Sequence, residues 1–107
     1  MKEENFWIQE LQKQLRKNTK LFSKITALNI QLYLFGSACV CQHPNDIDIV
    51  LLYSFCDCKL FDIIGLREEI KDFLRKKYML NVDIVTLSIE EEKQSHFLYQ
   101  ENAQLLL

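Results

Sequence analysis

Glycine and proline are scarce in this 107-residue chain, which holds two of the first and one of the second. Glycine-rich phosphate loops need more, and neither GxxxxGK[ST] nor GxGxxG occurs, which removes a P-loop and a dinucleotide-binding fold. With apolar residues at 49%, the same scarcity excludes a low-complexity or disordered segment. An excess of basic charge is also missing: 13 Lys and Arg face 15 Asp and Glu, for a net charge of -2. Binding a duplex through many phosphates requires the opposite balance, so long nucleic acid is not an expected partner. No apolar run approaches the ~20 residues of a membrane span. The opening MKEENFWIQE carries acids where a signal peptide would carry its apolar core. These absences lead to the expectation of a cytoplasmic protein with no membrane partner. The length suits one domain over residues 1–107, near the low end for a single hydrophobic core, and leaves no room for a second, substrate-binding domain.

The four cysteines fall into two close pairs, Cys39/Cys41 and Cys56/Cys58, and in a reducing compartment they are expected as thiols. A shared zinc site is not expected. CxC pairs are poorer templates than pairs with two- to four-residue spacers. The two pairs also flank a predicted strand, which separates them by about 20 Å at ~3.3 Å per residue.

Hydrophobic spacing orders the chain. Residues 4–17 place Phe6, Trp7, Leu11 and Leu15 near helical period and predict an amphipathic first helix. Residues 19–28 fit either a short helix or an irregular connection. The run IQLYLF, Ile30 to Phe35, stops at Gly36-Ser37 as a buried strand ending in a tight turn would. DIDIVLLY, Asp46 to Tyr53, is a second strand. Phe61 to Tyr78 carries Ile63, Leu66, Ile70, Phe73 and Leu74 at spacings of three and four, a long amphipathic helix. LNVDIVTL, Leu80 to Leu87, returns to strand character. Ser88 with Glu91 makes a capping box opening one last helix through IEEEKQSHFLYQENAQLLL. The alternation predicts an α/β (α+β) fold in which a small mixed sheet of about three or more strands is flanked by helices.

Chemistry concentrates at three places along this order. Gly36-Ser37 closes the first strand, Asp46-Ile47-Asp48 opens the second, and Asp83 lies inside the third. Alternation puts Asp46 and Asp48 on one face of their strand while Ile47 and Ile49 take the other. Carboxylates crowded beside apolar sheet residues repel one another and lose hydration. A divalent cation relieves both costs, and Mg²⁺ favours a few carboxylates completed by phosphate oxygens. Gly36 allows close backbone approach to a phosphate, and Ser37 offers a hydroxyl and an N–H to it.

The set LYLFGS, DIDIVLLY and VDIVTL resembles the minimal nucleotidyltransferases of the DNA polymerase beta superfamily over most of the chain. That family joins a hydrophobic strand, Gly-Ser, a spacer, Asp-x-Asp in a second strand and a third Asp in a later one. The resemblance implies the polymerase beta palm-like fold, nucleotide binding at Gly36 and Ser37, and catalysis by Asp46, Asp48 and Asp83 with two Mg²⁺ ions and ATP as substrate. In the implied mechanism Asp46 and Asp48 bridge the metals, and Asp83 serves the nucleophile-side metal and helps deprotonate the attacking hydroxyl. Domains this short resemble the antitoxin of a pair with a small helical HEPN protein, some of which transfer AMP to a tyrosine of the partner. The expected activity is therefore AMP transfer to a partner's hydroxyl. The alternatives are a non-catalytic binding antitoxin and an aminoglycoside-type small-molecule nucleotidyltransferase. One departure stands out. The spacer reads ACVCQHPN, with Ala38 where an arginine is common.

Other residues carry plainer readings. His43, beside Pro44, is expected to be a solvated turn residue. Arg67, Lys71 and Arg75 recur at i, i+4 and i+8, a stripe with the charge to meet phosphate, but Glu68, Glu69 and Asp72 are interleaved with it, which favours a solvated helix face. Phe6, Trp7 and Phe22 are expected in the core, whereas Tyr99 and Leu105 to Leu107 suit either the core or a partner.

Overall fold

The computed structural model describes residues 6–56 and 59–107. Helix α1, Phe6–Lys17, turns Trp7, Leu11 and Leu15 inward, one residue every four. Helix α2, Thr19–Ala27, buries Leu21 and Ile25 and starts at Asn18, whose side chain accepts the Leu21 N–H at 3.2 Å. That cap settles the stretch that spacing left between helix and connection.

Strand β1, Gln31–Phe35, is followed by a single 3₁₀ turn, Gly36–Cys39, and by β2, Asp46–Tyr53. Helix α3, Leu60–Tyr78, buries Ile63, Leu66, Ile70 and Leu74 and ends at a left-handed Met79, whose N–H donates to the Arg75 carbonyl. It leads to β3, Asn81–Ser88. With β4, Gln104–Leu105, the sheet order is β3-β2-β1-β4, with β2 and β3 parallel and β1 antiparallel to both its neighbours. A parallel pair needs a crossover, and α3 provides it. Leu32, Leu34, Ile47, Ile49 and Leu51 line one face of the sheet and are completely buried in a core shared with α1, α2 and α3. The architecture is thus mixed α/β, a small four-stranded mixed sheet flanked by helices.

Helix α1 holds both the connection into β2 and the end of α3. Trp7 Nε1 donates to the Gln42 carbonyl at 3.0 Å, and its indole meets the Tyr78 ring edge-on at 5.0 Å. Tyr78 in turn donates to Glu10 at 2.7 Å. Burial and this acceptor both push the Tyr78 hydroxyl far above its ordinary pKa.

The C-terminal third departs from the expected single helix. The capping box is present, with Glu91 N–H to Ser88 Oγ at 3.1 Å and Ser88 N–H to Glu91 Oε1 at 2.9 Å. Helix α4, Ile89–Ser95, nevertheless stops at His96, which takes the left-handed conformation (φ 54°), and α5, Phe97–Gln100, follows. Gln104–Leu105 then form β4 beside Tyr33 and Leu34. The reason is the bare edge of β1: backbone pairing there satisfies groups that a continued helix would leave without partners. Leu106 becomes fully buried, while Tyr99 and Leu105 remain exposed. Phe6 is half exposed, against the expectation of a core position. Among the described residues no helix is long and apolar enough to cross a membrane.

Candidate functional site

Strand register assembles the three acids. Asp48 sits opposite Phe35 on β1 and opposite Asp83 on β3, and Asp46 starts the same strand opposite Asn81. Cross-strand partners share a face, so Asp48 and Asp83 project side by side from backbones about 4.8 Å apart. Asp46, two residues from Asp48, joins them. Ile47 and Ile49 are fully buried on the opposite face, so that a one-residue slip of register would drive the acids into the core.

Gly36 completes the site. It has φ 77°, the left-handed region, and a Cβ added there would lie 2.5 Å from Asp48 Oδ2. The Asp48 carboxylate therefore rests against the backbone of the 3₁₀ turn in space that only glycine leaves open. Ser37 follows and is exposed. Ala38 is completely buried, so the position where the related pattern carries arginine faces the core in this chain.

The electrostatics follow from the crowding. Burial first, then Asp83, then Asp46, hold the Asp48 carboxyl above the ordinary carboxylate range. Burial, and then the charge of Asp48, push the Cys39 thiol up, and its Sγ donates to the Leu34 carbonyl at 3.2 Å. No ion pair among the described residues neutralises Asp46, Asp48 or Asp83; the pairs present are Lys24–Glu69, Arg67–Glu68 and Arg75–Asp72.

A cavity of about 540 Å³ opens over Asp48 and Asp83, lined also by Phe35, Ile84 and Val85 and, from α3, by Arg67, Glu68 and Lys71. Phe97 of α5 stacks edge-on against Phe35 at 5.3 Å. Sequence reading assigned Arg67 and Lys71 to a solvated face. Their i, i+4 spacing was the visible signal, and what it lacked was the position of α3 beside the edge strand β3. Arg67 and Arg75 each pair with an interleaved acid, Glu68 at 3.2 Å and Asp72 at 3.1 Å. His43 is exposed, as expected.

Among the described residues no three His, Cys, Asp or Glu side chains form a ready-made metal cage. Cys39, Cys41 and Cys56 are thiols, and Cys58 lies outside the described residues. The acid row instead offers two adjoining carboxylates with a third next to them, all acceptors and all uncompensated. That donor set fits Mg²⁺, which takes one or two carboxylates and fills its octahedron with water and substrate phosphate oxygens.

Comparison with protein-family models, with curated protein sequences and with solved structures returned no match.

Proposed function

We propose that this chain is a minimal nucleotidyltransferase of the polymerase beta type that transfers AMP from ATP to a hydroxyl on a partner protein, as the antitoxin member of a pair with a small helical HEPN-like protein. The observation that carries the reading is the placement of Asp48 between Gly36 and Asp83. One carboxylate touches the turn suited to a phosphate, and its neighbour across the sheet lies where an attacking group can approach.

In this reading Asp46, Asp48 and Asp83 would hold Mg²⁺. The metal, when bound, supplies neutralisation of the charge that develops on the phosphoryl oxygens. The backbone at Gly36 and the Ser37 hydroxyl hold the phosphates of ATP. The acceptor oxygen bonds to the α-phosphorus as the bond from that phosphorus to the α,β-bridging oxygen breaks, and pyrophosphate leaves. The hydroxyl proton passes to the Asp83 carboxylate and then to water. Burial first, and then the neighbouring Asp83 and Asp46, raise the Asp48 carboxyl, a perturbation of the kind that clusters at functional sites.

A non-catalytic binding module is the second reading. The observation in its favour is the burial of Ala38, which leaves the turn without the cation that the related pattern places there. The two readings part on one experiment. ATP labelled on the α-phosphate, with Mg²⁺ and a lysate containing the natural partner, is expected to label a protein band with the wild type and none with Asp48→Asn. Equal partner binding by both proteins, with no label in either, would establish the binding module.

A further inference from the structure

The cavity over the acid row is asymmetric in charge. Sheet order and register fix its sequence: Phe35 at the β1 end, then Asp48, which also rests against Gly36, then Asp83, then Arg67, Glu68 and Lys71 of α3 beyond the outer side of β3. The two cations are four residues apart and therefore on one helix face. Both are partly buried. Neither forms an ion pair with the aspartates; among the described residues Arg67 pairs with its chain neighbour Glu68 at 3.2 Å, and Lys71 has no ion pair. Asp48 and Asp83 thus share one cavity with Arg67 and Lys71 without pairing to them, while Glu68, in the same lining, pairs with Arg67.

In-line displacement puts the entering oxygen opposite the leaving group. With the leaving pyrophosphate toward Gly36 and Ser37, the entering oxygen comes from the side of Asp83, where Arg67 and Lys71 stand. We propose that these two residues receive the acceptor, and that the acceptor hydroxyl is presented by a protein segment with acidic side chains beside it. This rests on the nucleotidyltransferase reading above. Two cations flanked by Glu68 and Glu69, on a chain of net charge -2, suit a short acidic stretch and not the repeated phosphates of RNA. Arg67 and Lys71 are positioning residues: they hold the segment that bears the reacting oxygen and do not touch that oxygen.

The test uses the full chain, Mg²⁺ and ATP labelled on the α-phosphate, with three probes as acceptors. Two are peptides with one tyrosine and one serine, flanked by glutamates in one and by lysines in the other. The third is an oligoribonucleotide. ATP binding and thermal unfolding are measured on the same samples. The wild type is expected to label the glutamate-flanked peptide about tenfold faster than the lysine-flanked one, the size that two partly exposed ion pairs supply. The double variant Arg67→Glu, Lys71→Glu is expected to invert that preference, and Arg67→Gln with Lys71→Gln to abolish it, which keeps the test valid if charge reversal impairs folding. Equal labelling of the peptides, preferential labelling of the oligoribonucleotide, or no labelled probe from a chain that binds ATP overturns the inference. So does a double variant that loses ATP affinity with its peptide preference unchanged, which would assign the cations to phosphate. A wild type that binds no ATP overturns the nucleotidyltransferase reading itself.

Discussion

Asp48 and Asp83 face one another across neighbouring parallel strands, and no described cation lies within ion-pair distance of either. Burial, and then Asp83 and Asp46, make the folded state disfavour the Asp48 charge. Its raised pKa means that the native protein binds more protons there than the unfolded chain, so this contribution to stability falls as pH rises from the ordinary carboxylate value through the raised native one. Asp48→Asn is expected to remove this trend and to match or exceed the wild type in stability at neutral pH without added metal. Chemical denaturation from pH 3 to pH 7 (about the range in which carboxylates titrate) reads both effects. A variant less stable than the wild type at every pH would show that Asp48 is compensated.

Gly36 is the most sterically exposed element of this account. Gly36→Ala places a methyl group against the Asp48 carboxylate and an L-residue at φ 77°. The conformation alone costs about 1–2 kcal/mol, and the contact adds to it unless Asp48 moves. Thermal unfolding is expected at lower temperature, and nucleotidyl transfer is expected to fall more than stability does because the displaced group is the central carboxylate. Transfer at the wild-type rate would remove the Gly36–Asp48 contact from the site.

The capping box is a local test independent of chemistry. Ser88→Ala loses the bond to the Glu91 N–H at 3.1 Å and is expected to cost about 1 kcal/mol, a fall of roughly 4–8 °C in melting temperature for a domain of this size. ATP affinity should be retained, since Ser88 lies at the far end of β3 from Asp83. Loss of ATP binding at full stability would tie α4 to the site.

Much of this arrangement was legible in the residues. DIDIVLLY begins and ends as a strand where expected, and Ile47 and Ile49 turn inward as alternation required, because period-two patterning is local and the core enforces it. Asp83 falls beside Asp48 because β2 and β3 are parallel around α3. Two features were hidden. The final leucines read as a helix because their spacing is uninformative, and only the open edge of β1 makes Gln104 and Leu105 a strand. Arg67 and Lys71 read as solvent-facing because their interleaved acids dominate locally, and both do stay partly exposed; that they also line the cavity beside Asp83 follows only from where α3 crosses the sheet.

The hidden strand has its own consequence. Leu106 is buried beside β1, with its N–H donating to the Leu32 carbonyl at 2.7 Å. Leu106→Ala is expected to destabilise the fold by about 2–5 kcal/mol, as for other leucines in packed cores, while Leu105→Ala, half exposed, should cost far less. Equal, small effects in urea denaturation would mean that the C-terminal strand does not close the sheet.

The most direct measurement of the central claim is equilibrium binding of ATP to the wild type and to Asp48→Asn, each with and without Mg²⁺. Binding is expected to require Mg²⁺ in the wild type and to be weakened about tenfold or more by Asp48→Asn, a loss of roughly 1.4 kcal/mol or more. An absence of binding, or binding indifferent both to Mg²⁺ and to the loss of the Asp48 charge, would contradict that claim.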